Sequence, residues 1–200
     1  MSSAGTELVC DFTGGAVGHR LRAGGGRGQA LPRAAGFSKG RTPQVVDATA
    51  GLGRDAFLLA SLGAEVTLIE RAPQVHNLLR EGMARATAAG GEVAEIISRM
   101  TLVMGDAKLL LPNMAAEVVL VDPMHPPRGN SALVKQEMRL LRDIVGTDAD
   151  ALDLMQVALK TTSKRVVLKW PLRAAPLADL APPSHQIRGK TTRYDVFMTG

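Results

Sequence analysis

Short apolar runs alternate along most of the chain with longer segments whose apolar residues recur at helical spacing. The runs predict five core strands, at 45–47, 64–70, 100–104, 117–122 and 165–169. The intervening segments predict helices at 55–62, from 73 to about 89, from 131 to about 145, and from 148 to 160. Continuous apolar strands that alternate with helices are typical of a parallel sheet covered on both faces.

The two ends of the chain depart from this pattern. A short strand predicted at 8–12 and a short helix predicted at 29–37 flank a glycine-rich stretch. Runs at 186–190 and 193–198 predict a closing pair of strands joined by a short turn. We therefore predict an α/β fold with a Rossmann-like, mostly parallel sheet that ends in an antiparallel hairpin. We assign 1–43 to a basic, glycine-rich N-terminal segment and 44–200 to the main domain.

Composition limits the class of protein. The 200 residues are 46% apolar but only 3% aromatic, which suits one domain with an aliphatic core. No apolar run approaches the roughly 18 residues of a membrane span, and the N-terminus lacks a basic-then-apolar leader pattern. Cys10 is the only cysteine, and the four histidines show no metal-ligand spacing. The sequence thus predicts a cytoplasmic protein without a membrane span or a metal site.

The net charge of +5 is concentrated near the two ends. Six basic residues between Phe12 and Val46 meet no acid, and the eight from Lys160 to Arg193 are opposed only by Asp179. These two ends form one phosphate-binding face if they meet in space, or else they are ordinary solvated surface. The charge pattern leaves both interpretations open.

A glycine turn follows the first core strand. Gly51, Gly53 and Ala56 fit the G-x-G-x-x-G/A pattern, in which backbone N–H groups at a helix start face a nucleotide-like ligand. Binders of NAD, FAD and S-adenosylmethionine share this pattern. Asp47 before the turn and Asp55 in the first helical turn disfavour a pyrophosphate, and they favour a ligand that carries an ammonium or sulfonium group.

Carboxylates stand at the ends of four predicted strands, namely Asp47, Glu70, Asp106 and Asp122. We expect them to gather on one edge of the sheet, where parallel α/β proteins bind ligands. Glu70 occupies the position from which a carboxylate binds ribose hydroxyls. Asp106 and Ala107 can face an adenine amino group, and Asp106 can equally cap a short helix.

The turn after the fourth strand carries the most specific chemistry. Pro123 fixes a turn in which the Asp122 carboxylate and free carbonyls point into the predicted cleft. These acceptors can bind an exocyclic amine and orient its lone pair towards a methyl donor. His125 in the same loop can stack on a base or act as a base, although a lone histidine more often does neither.

Several stretches together resemble one known family. They are 47–55, 70–71, 122–124 and 131–139, with a similar glycine-rich lead-in from 11 to 28. These motifs look like those of the bacterial 16S ribosomal RNA guanine-N2 methyltransferases of the RsmJ type, from about residue 8 to the end. The resemblance implies a class I methyltransferase fold for 44–200, S-adenosylmethionine as the cofactor, and 16S ribosomal RNA or the small ribosomal subunit as the partner.

The resemblance also implies roles for single residues. With the glycine turn, it predicts cofactor contacts at Asp47, Gly51, Gly53, Arg54, Asp55, Glu70, Arg71, Asp106, Ala107 and Asp122. Asp122 and Pro123 would act on the target amine. The predicted RNA contacts are His125, Arg20, Arg27, Lys169 and Arg193. The family usually has an aromatic residue at the position of His125, and its members usually carry a longer segment before Leu8.

Three alternatives fit part of the pattern. A nicotinamide-dependent oxidoreductase shares the glycine turn and Glu70, but it leaves Asp122 with Pro123 and the basic ends unexplained. A non-catalytic RNA-binding or ribosome-assembly factor with a vestigial cofactor site would not need the intact set of glycines and acids. A methyltransferase that acts on adenine N6 or on a protein amide would use the same Asp-Pro turn, since this turn can hold any planar amine.

Overall fold

One sheet of seven strands organises the chain, which the computed structural model describes at residues 8–14, 26–38, 40–124 and 150–200. The strands are β1 Val45–Asp47, β2 Val66–Glu70, β3 Met100–Met104, β4 Val118–Val121, β5 Arg165–Pro171, β6 His185–Arg188 and β7 Thr192–Met198. The helices are α1 Ala30–Ala34, α2 Arg54–Ser61, α3 Pro73–Ala89, α4 Gly91–Ile97, α5 Ala107–Leu110 and α6 Ala151–Thr161, and a 3-10 helix spans Leu111–Asn113.

The strand order is β3-β2-β1-β4-β5-β7-β6. Strands β1 to β5 run parallel, whereas β7 is antiparallel to both β5 and β6. This order confirms the predicted α/β sheet, mostly parallel with an antiparallel C-terminal hairpin. The chain moves outward from β1 to β3 and continues on the other side of β1 with β4. The crevice of such a sheet lies at the carboxyl ends of β1 and β4.

Both faces of the sheet are covered. In β4, where every residue is buried, Val118 and Leu120 belong to one hydrophobic cluster, and Val119 and Val121 belong to the other. Because neither face meets water, the central strands are continuous apolar runs rather than alternating ones.

The helix predictions succeed where helical spacing is clear. Helix α3 begins and ends at the predicted residues, and Gly90, with a φ of 73°, ends it. The glycine pair at 90–91 predicts only a stop, yet α4 begins directly after it. The predicted helix from 131 to about 145 lies outside the described residues. Among the helices that are described, none combines the length and apolarity that crossing a bilayer requires.

Residues 8–12 form no strand, contrary to the prediction. Leu8, Cys10 and Phe12 are buried in alternation, which is the period of a strand. The segment instead crosses α3 at Gly82, where an added Cβ would lie 2.6 Å from the Cys10 carbonyl oxygen. Its neighbours are helix side chains such as Arg85, which donates to the Cys10 carbonyl. Alternation therefore gives burial here without strand pairing.

The described part of the N-terminal segment shares the core of the main domain. Leu8, Phe12, Leu31 and Phe37 belong to the same hydrophobic cluster as residues of the central strands. Helix α1 packs against β6 and β7. The assigned boundary at residue 43 therefore does not separate two hydrophobic cores.

Candidate functional site

A cleft opens at the carboxyl ends of the parallel strands, with a cavity volume of about 270 Å³. Its charged lining is Arg54, Asp55, Glu70, Arg71, Asp106, Lys108, Asp122, Asp150 and Lys169. Its apolar lining includes Leu52, Ile69, Ala107, Met124 and Leu154. Most of the residues for which we predict cofactor contacts therefore meet in one place, although they come from four separate segments at the ends of β1, β2, β3 and β4.

The glycine turn between β1 and α2 has no room for a side chain at Gly53. Its φ is 69°, and an added Cβ would lie 2.8 Å from Cδ1 of Leu79 and 3.2 Å from the Phe12 ring. The Gly51 N–H donates a hydrogen bond of 2.9 Å to Oε2 of Glu70. The turn is thus packed against the core on one side and bonded to the end of β2 on the other.

Glu70 holds two backbone segments at once. Besides the bond from Gly51, its Oε1 accepts a hydrogen bond of 2.8 Å from the Ala72 N–H. The residue is only 6% exposed, and this burial raises the pKa of its carboxyl, an effect that the N–H donors oppose. Each carboxylate oxygen has two lone pairs, so Glu70 can keep both bonds and still accept a hydroxyl from a ligand.

Asp47 lies behind the turn rather than in the wall of the cleft. It is 3% exposed, and its Oδ1 accepts a hydrogen bond of 3.1 Å from the Thr49 N–H. Burial raises the pKa of Asp47 to about 7, and the nearby carboxylates of Asp55 and Asp122 add to this effect. Thr49, for which the sequence pattern predicts no role, accepts the Asp122 N–H at 2.7 Å. This bond joins the β1 turn to the end of β4.

Lys169 is predicted to contact RNA on an outer surface, but it lies inside the cleft. Its Nζ donates to Oδ2 of Asp55 at 2.5 Å and to Oδ2 of Asp122 at 2.7 Å. Burial alone would lower the pKa of Lys169, but the two carboxylates raise it above its ordinary value. The side chain therefore stays cationic. We call Asp55, Lys169 and Asp122 the lysine triad, which ties β5 to α2 and to the end of β4.

A second group of charges lies on the β2–β3 side of the cleft. Nη1 of Arg71 donates to Oδ2 of Asp150 at 2.9 Å, and the Lys108 ammonium contacts the same oxygen. The hydrogen bond from Lys108 is the main cause of a lowered pKa at Asp150. Asp106 accepts the Lys108 N–H at 2.9 Å and caps α5, which confirms the predicted cap. We call these four residues the Asp150 cluster.

Asp150 itself had no predicted role. Its only signal in the sequence is its place before a helix, and this signal does not reveal that the start of α6 faces β2. The structure brings it to Arg71 across 79 positions of the chain.

Two of the predicted RNA contacts hold the protein together instead. Arg193 is 5% exposed, its Nε bonds to Asp195, and its Nη1 donates to three backbone carbonyls. A guanidinium enclosed in this way is not available to an RNA phosphate, which corrects the prediction. The Arg27 guanidinium likewise donates to three backbone carbonyls of neighbouring loops. The other two predicted contacts, Arg20 and His125, lie outside the described residues.

The charges of the cleft indicate what it can bind. Its lining contains five carboxylates and four cations. A pyrophosphate would bring further negative charge beside Asp55 and Asp122, whereas a ligand with a cationic centre would be attracted to them. Within the described residues, no group of three or more potential ligand side chains is placed to hold a metal ion.

Comparison with known proteins identifies the family. A family model described as "Putative SAM-dependent methyltransferase" matches residues 2–199. The chain belongs to this methyltransferase family. Relatives named ribosomal RNA small subunit methyltransferase J, from Brucella anthropi and Agrobacterium fabrum, are 68% and 66% identical to it. The alignments cover 96% and 99% of this chain, and 94% and 95% of the relatives.

A solved structure supports the same family. The SAM-dependent methyltransferase from Neisseria gonorrhoeae is 35% identical, with a TM-score of 0.76, and the match covers 99% of this chain and 78% of that one. The fold is therefore that of the class I methyltransferases, and S-adenosylmethionine is the cofactor. The donor set of the cleft fits this cofactor, since carboxylates surround a space for a cationic, ribose-bearing ligand. The nicotinamide-dependent and non-catalytic alternatives are wrong.

Proposed function

We propose that this methyltransferase modifies the N2 amine of one guanosine in 16S ribosomal RNA, as free RNA or within the small ribosomal subunit, in the cytoplasm. The names of the two relatives support ribosomal RNA of the small subunit as the substrate. The resemblance of the 122–124 segment to the RsmJ-type motif supports guanine N2 as the acceptor. The observation that carries the proposal is the fixed Asp122 at the carboxyl end of β4.

Asp122 is held at both its backbone and its side chain. Its N–H donates to Thr49, and its carboxylate accepts a hydrogen bond from Lys169. Pro123, which follows, restricts the turn and adds no N–H donor. The Asp122 side chain is 40% exposed in the cleft. We assign to this carboxylate and to the Pro123 carbonyl the role of accepting the N–H groups of the target amine.

This arrangement performs catalysis mainly by orientation. Two acceptors on an exocyclic NH₂ group fix the orientation of the amine. They draw its lone pair out of conjugation with the base and direct it towards the methyl donor. Fixing reactants in this way can contribute about 7 kcal/mol to the barrier reduction. Lys169 keeps the carboxylate in place, so that the acceptor does not have to be ordered during each turnover.

The remaining assignments concern the cofactor. S-adenosylmethionine, when bound, supplies an electrophilic methyl group on a sulfonium centre. We assign Glu70 to its ribose hydroxyls, because this carboxylate keeps unused lone pairs beside the glycine turn. We assign Asp106 with Ala107 to the adenine, and the 51–55 segment to the methionine part.

Mass spectrometry of ribosomal RNA nucleosides tests the proposal. Cells that lack the protein should lose N2-methylguanosine at one position of 16S ribosomal RNA, and the wild-type gene should restore it. The Asp122→Asn variant keeps the size of the side chain and should fail to restore it. Purified Asp122→Asn should show a kcat at least about 100-fold lower, whereas its Kd for S-adenosylhomocysteine should change far less.

Three outcomes would contradict the proposal. An unchanged level of N2-methylguanosine would remove guanine N2 as the acceptor. A loss of N6-methyladenosine instead would assign the Asp-Pro turn to another planar amine. Full activity of Asp122→Asn would show that the carboxylate does not act on the amine.

A further inference from the structure

The described cations between Lys160 and Arg193 lie on two opposite sides of the sheet, at the two ends of its strands. We call the side at the cleft the near edge and the opposite side the far edge. Arg165 begins β5 beside the start of β4, and Pro171 ends β5 on the side of the cleft. These two residues are about 20 Å apart along an extended strand. Lys160 and Lys164 precede β5 and therefore lie at the far edge, away from the cleft. They are not placed to contact a nucleotide whose base enters the cleft.

Three other cations lie at the near edge. Arg188 is opposite Arg193, which in turn is opposite Trp170, the residue after Lys169. Two strand spacings separate Arg188 from Trp170, or about 10 Å. Lys190 lies in the turn between β6 and β7, and Arg173 lies in the loop that follows β5. We call Arg173, Arg188 and Lys190 the near-edge cluster.

The two loops of the near-edge cluster are bonded to each other. The Leu172 N–H donates to the Thr191 carbonyl at 3.0 Å. This bond places the loop after β5 against the turn that carries Lys190.

The buried Arg193 fixes the same loop from within. Its Nη1 donates to the carbonyls of Pro171, Leu172 and Ala174 at 3.1, 3.3 and 2.7 Å. The loop that carries Arg173 is thereby held by a charge that is itself neutralised by Asp195. Arg193 thus acts on this surface by shaping it rather than by contacting a ligand.

The near-edge cluster has positive charge available for a partner. All three side chains are exposed. Within the described residues, none of them makes an ion pair, and Asp179 is the only acid between Pro171 and Thr192. Arg and Lys side chains clustered on one exposed face are the usual contacts to nucleic acid phosphates.

We propose that Arg173, Arg188 and Lys190 hold the RNA phosphates that flank the target nucleotide, while its base enters the cleft at Asp122. The proposal rests on the proposed RNA substrate, and it replaces the predicted contacts at Lys169 and Arg193. The far-edge cations take no part in this contact. In this proposal, the near-edge cluster binds the RNA strand, and Asp122 of the lysine triad acts on the target amine.

Matched charge removal at the two edges tests the proposal. The near-edge variant carries Arg173→Gln, Arg188→Gln and Lys190→Gln. The far-edge variant carries Lys160→Gln, Lys164→Gln and Arg33→Gln. Arg33 is exposed, and it belongs to the far edge because the carbonyl of the next residue, Ala34, accepts a hydrogen bond from Arg165. Each variant loses three exposed charges. Binding of transcribed 16S ribosomal RNA to the full chain is measured by filter retention over a series of potassium chloride concentrations.

The near-edge variant should bind this RNA at least about ten-fold more weakly at moderate salt, and the slope of log Kd against log salt should fall by about two to three. The far-edge variant should stay within about two-fold of the wild type. Unchanged melting temperatures and unchanged affinity for S-adenosylhomocysteine would show that both variants are folded. Equal losses in the two variants, or no loss in the near-edge variant, would overturn the proposal.

The binding assay is independent of the modification itself. If the wild type binds the RNA through the near edge but forms no N2-methylguanosine, the surface stands and the proposed acceptor is wrong. If the wild type forms N2-methylguanosine and the near-edge variant binds normally, the surface is wrong and the proposed function stands.

Discussion

Two groups of charges face each other across the cleft, and they differ in charge balance. In the lysine triad, one ammonium serves two carboxylates. In the Asp150 cluster, two cations meet two carboxylates. The triad joins the strands that carry the proposed acceptor site, whereas the cluster joins β2, α5 and α6 on the side proposed for adenine and ribose.

This difference shows which charges the protein depends on. Removing the single cation of the triad leaves two carboxylates close together and close to Asp47, so repulsion is strong. Removing one charge from the Asp150 cluster still leaves an opposite charge beside the remaining ones, since two cations meet two carboxylates there, and water screens what is left. We therefore expect large effects at Lys169 and small ones at Asp150.

The largest effect in this comparison should come from Lys169→Met. Without the ammonium, Asp55 and Asp122 repel each other and Asp122 leaves its position. The kcat should fall by about 100-fold, since small misplacements of a positioning group cost that much. The free energy of unfolding should fall by about 2 kcal/mol, a value reduced for the open side of the cleft.

Steady-state kinetics at several salt concentrations separate positioning from RNA contact at Lys169. A positioning role predicts a lower kcat with a nearly unchanged KM for RNA, and partial rescue by Lys169→Arg. A phosphate contact would instead raise KM and reduce its dependence on salt.

The next effect should come from Glu70→Gln, beside the Asp150 cluster. Glutamine has one acceptor oxygen where glutamate has two, so either Gly51 or Ala72 loses its partner. Titration calorimetry should show a Kd for S-adenosylhomocysteine that is about ten-fold higher, because a lost hydrogen bond to a charged acceptor costs roughly that much. An unchanged Kd would show that Glu70 does not contribute to cofactor binding.

Asp47 provides a pH test of the triad's surroundings. The folded pKa of about 7 lies above the ordinary 3.8, so the unfolded chain releases this proton first. The contribution of Asp47 to stability therefore falls as pH rises from about 4 to about 7, and it is constant at higher pH. Asp47→Asn keeps the acceptor for the Thr49 N–H and removes this dependence.

Urea unfolding of both proteins at several pH values measures the effect. The stability of Asp47→Asn relative to the wild type should rise with pH, by at most about 1.4 kcal/mol per pH unit, and level off near pH 7. Parallel stability curves for the two proteins would show that Asp47 is ionised in the fold throughout this range.

The smallest effect should come from Asp150→Asn. Arg71 and Lys108 then lose the carboxylate that they share, but Lys108 keeps Asp106 at 3.6 Å and both cations remain solvated. The melting temperature should fall by no more than about 2 °C, and the Kd for S-adenosylhomocysteine should change by less than about three-fold. A loss as large as that of Lys169→Met, measured by thermal unfolding and calorimetry, would make the two groups equivalent and break the comparison.

The sequence correctly predicted the parts of the site that depend on residues close together in the chain. The end of β4 at Asp122 and the cap at Asp106 depend on residues within a few positions of each other, and both are where the sequence places them. The alternation at 8–12 is equally local, but it indicates only which side chains are buried. Whether a strand edge or a helix lies beside it depends on distant residues, and here a helix does.

The roles of the basic residues could not be obtained in this way. Lys169 and Arg193 belong to the same positively charged stretch, and the sequence treats them alike. They are on adjacent, antiparallel strands, and the alternation of side chains sends Lys169 towards α2 and Arg193 under the loop after β5. Net charge along a chain says nothing about which face of a sheet receives each side chain.

By itself, the sequence of this protein determines the alternation of strands and helices, the glycine turn at 51–53 and the carboxylates at the strand ends, because these features follow from short-range sterics and periodic burial. The tertiary structure alone decides that Lys169 joins Asp55 to Asp122, that Asp150 meets Arg71, and that Arg173, Arg188 and Lys190 are left at the near edge. Those pairings join residues that are far apart in the chain, and only the packing of the sheet and its helices brings their charges within reach of one another.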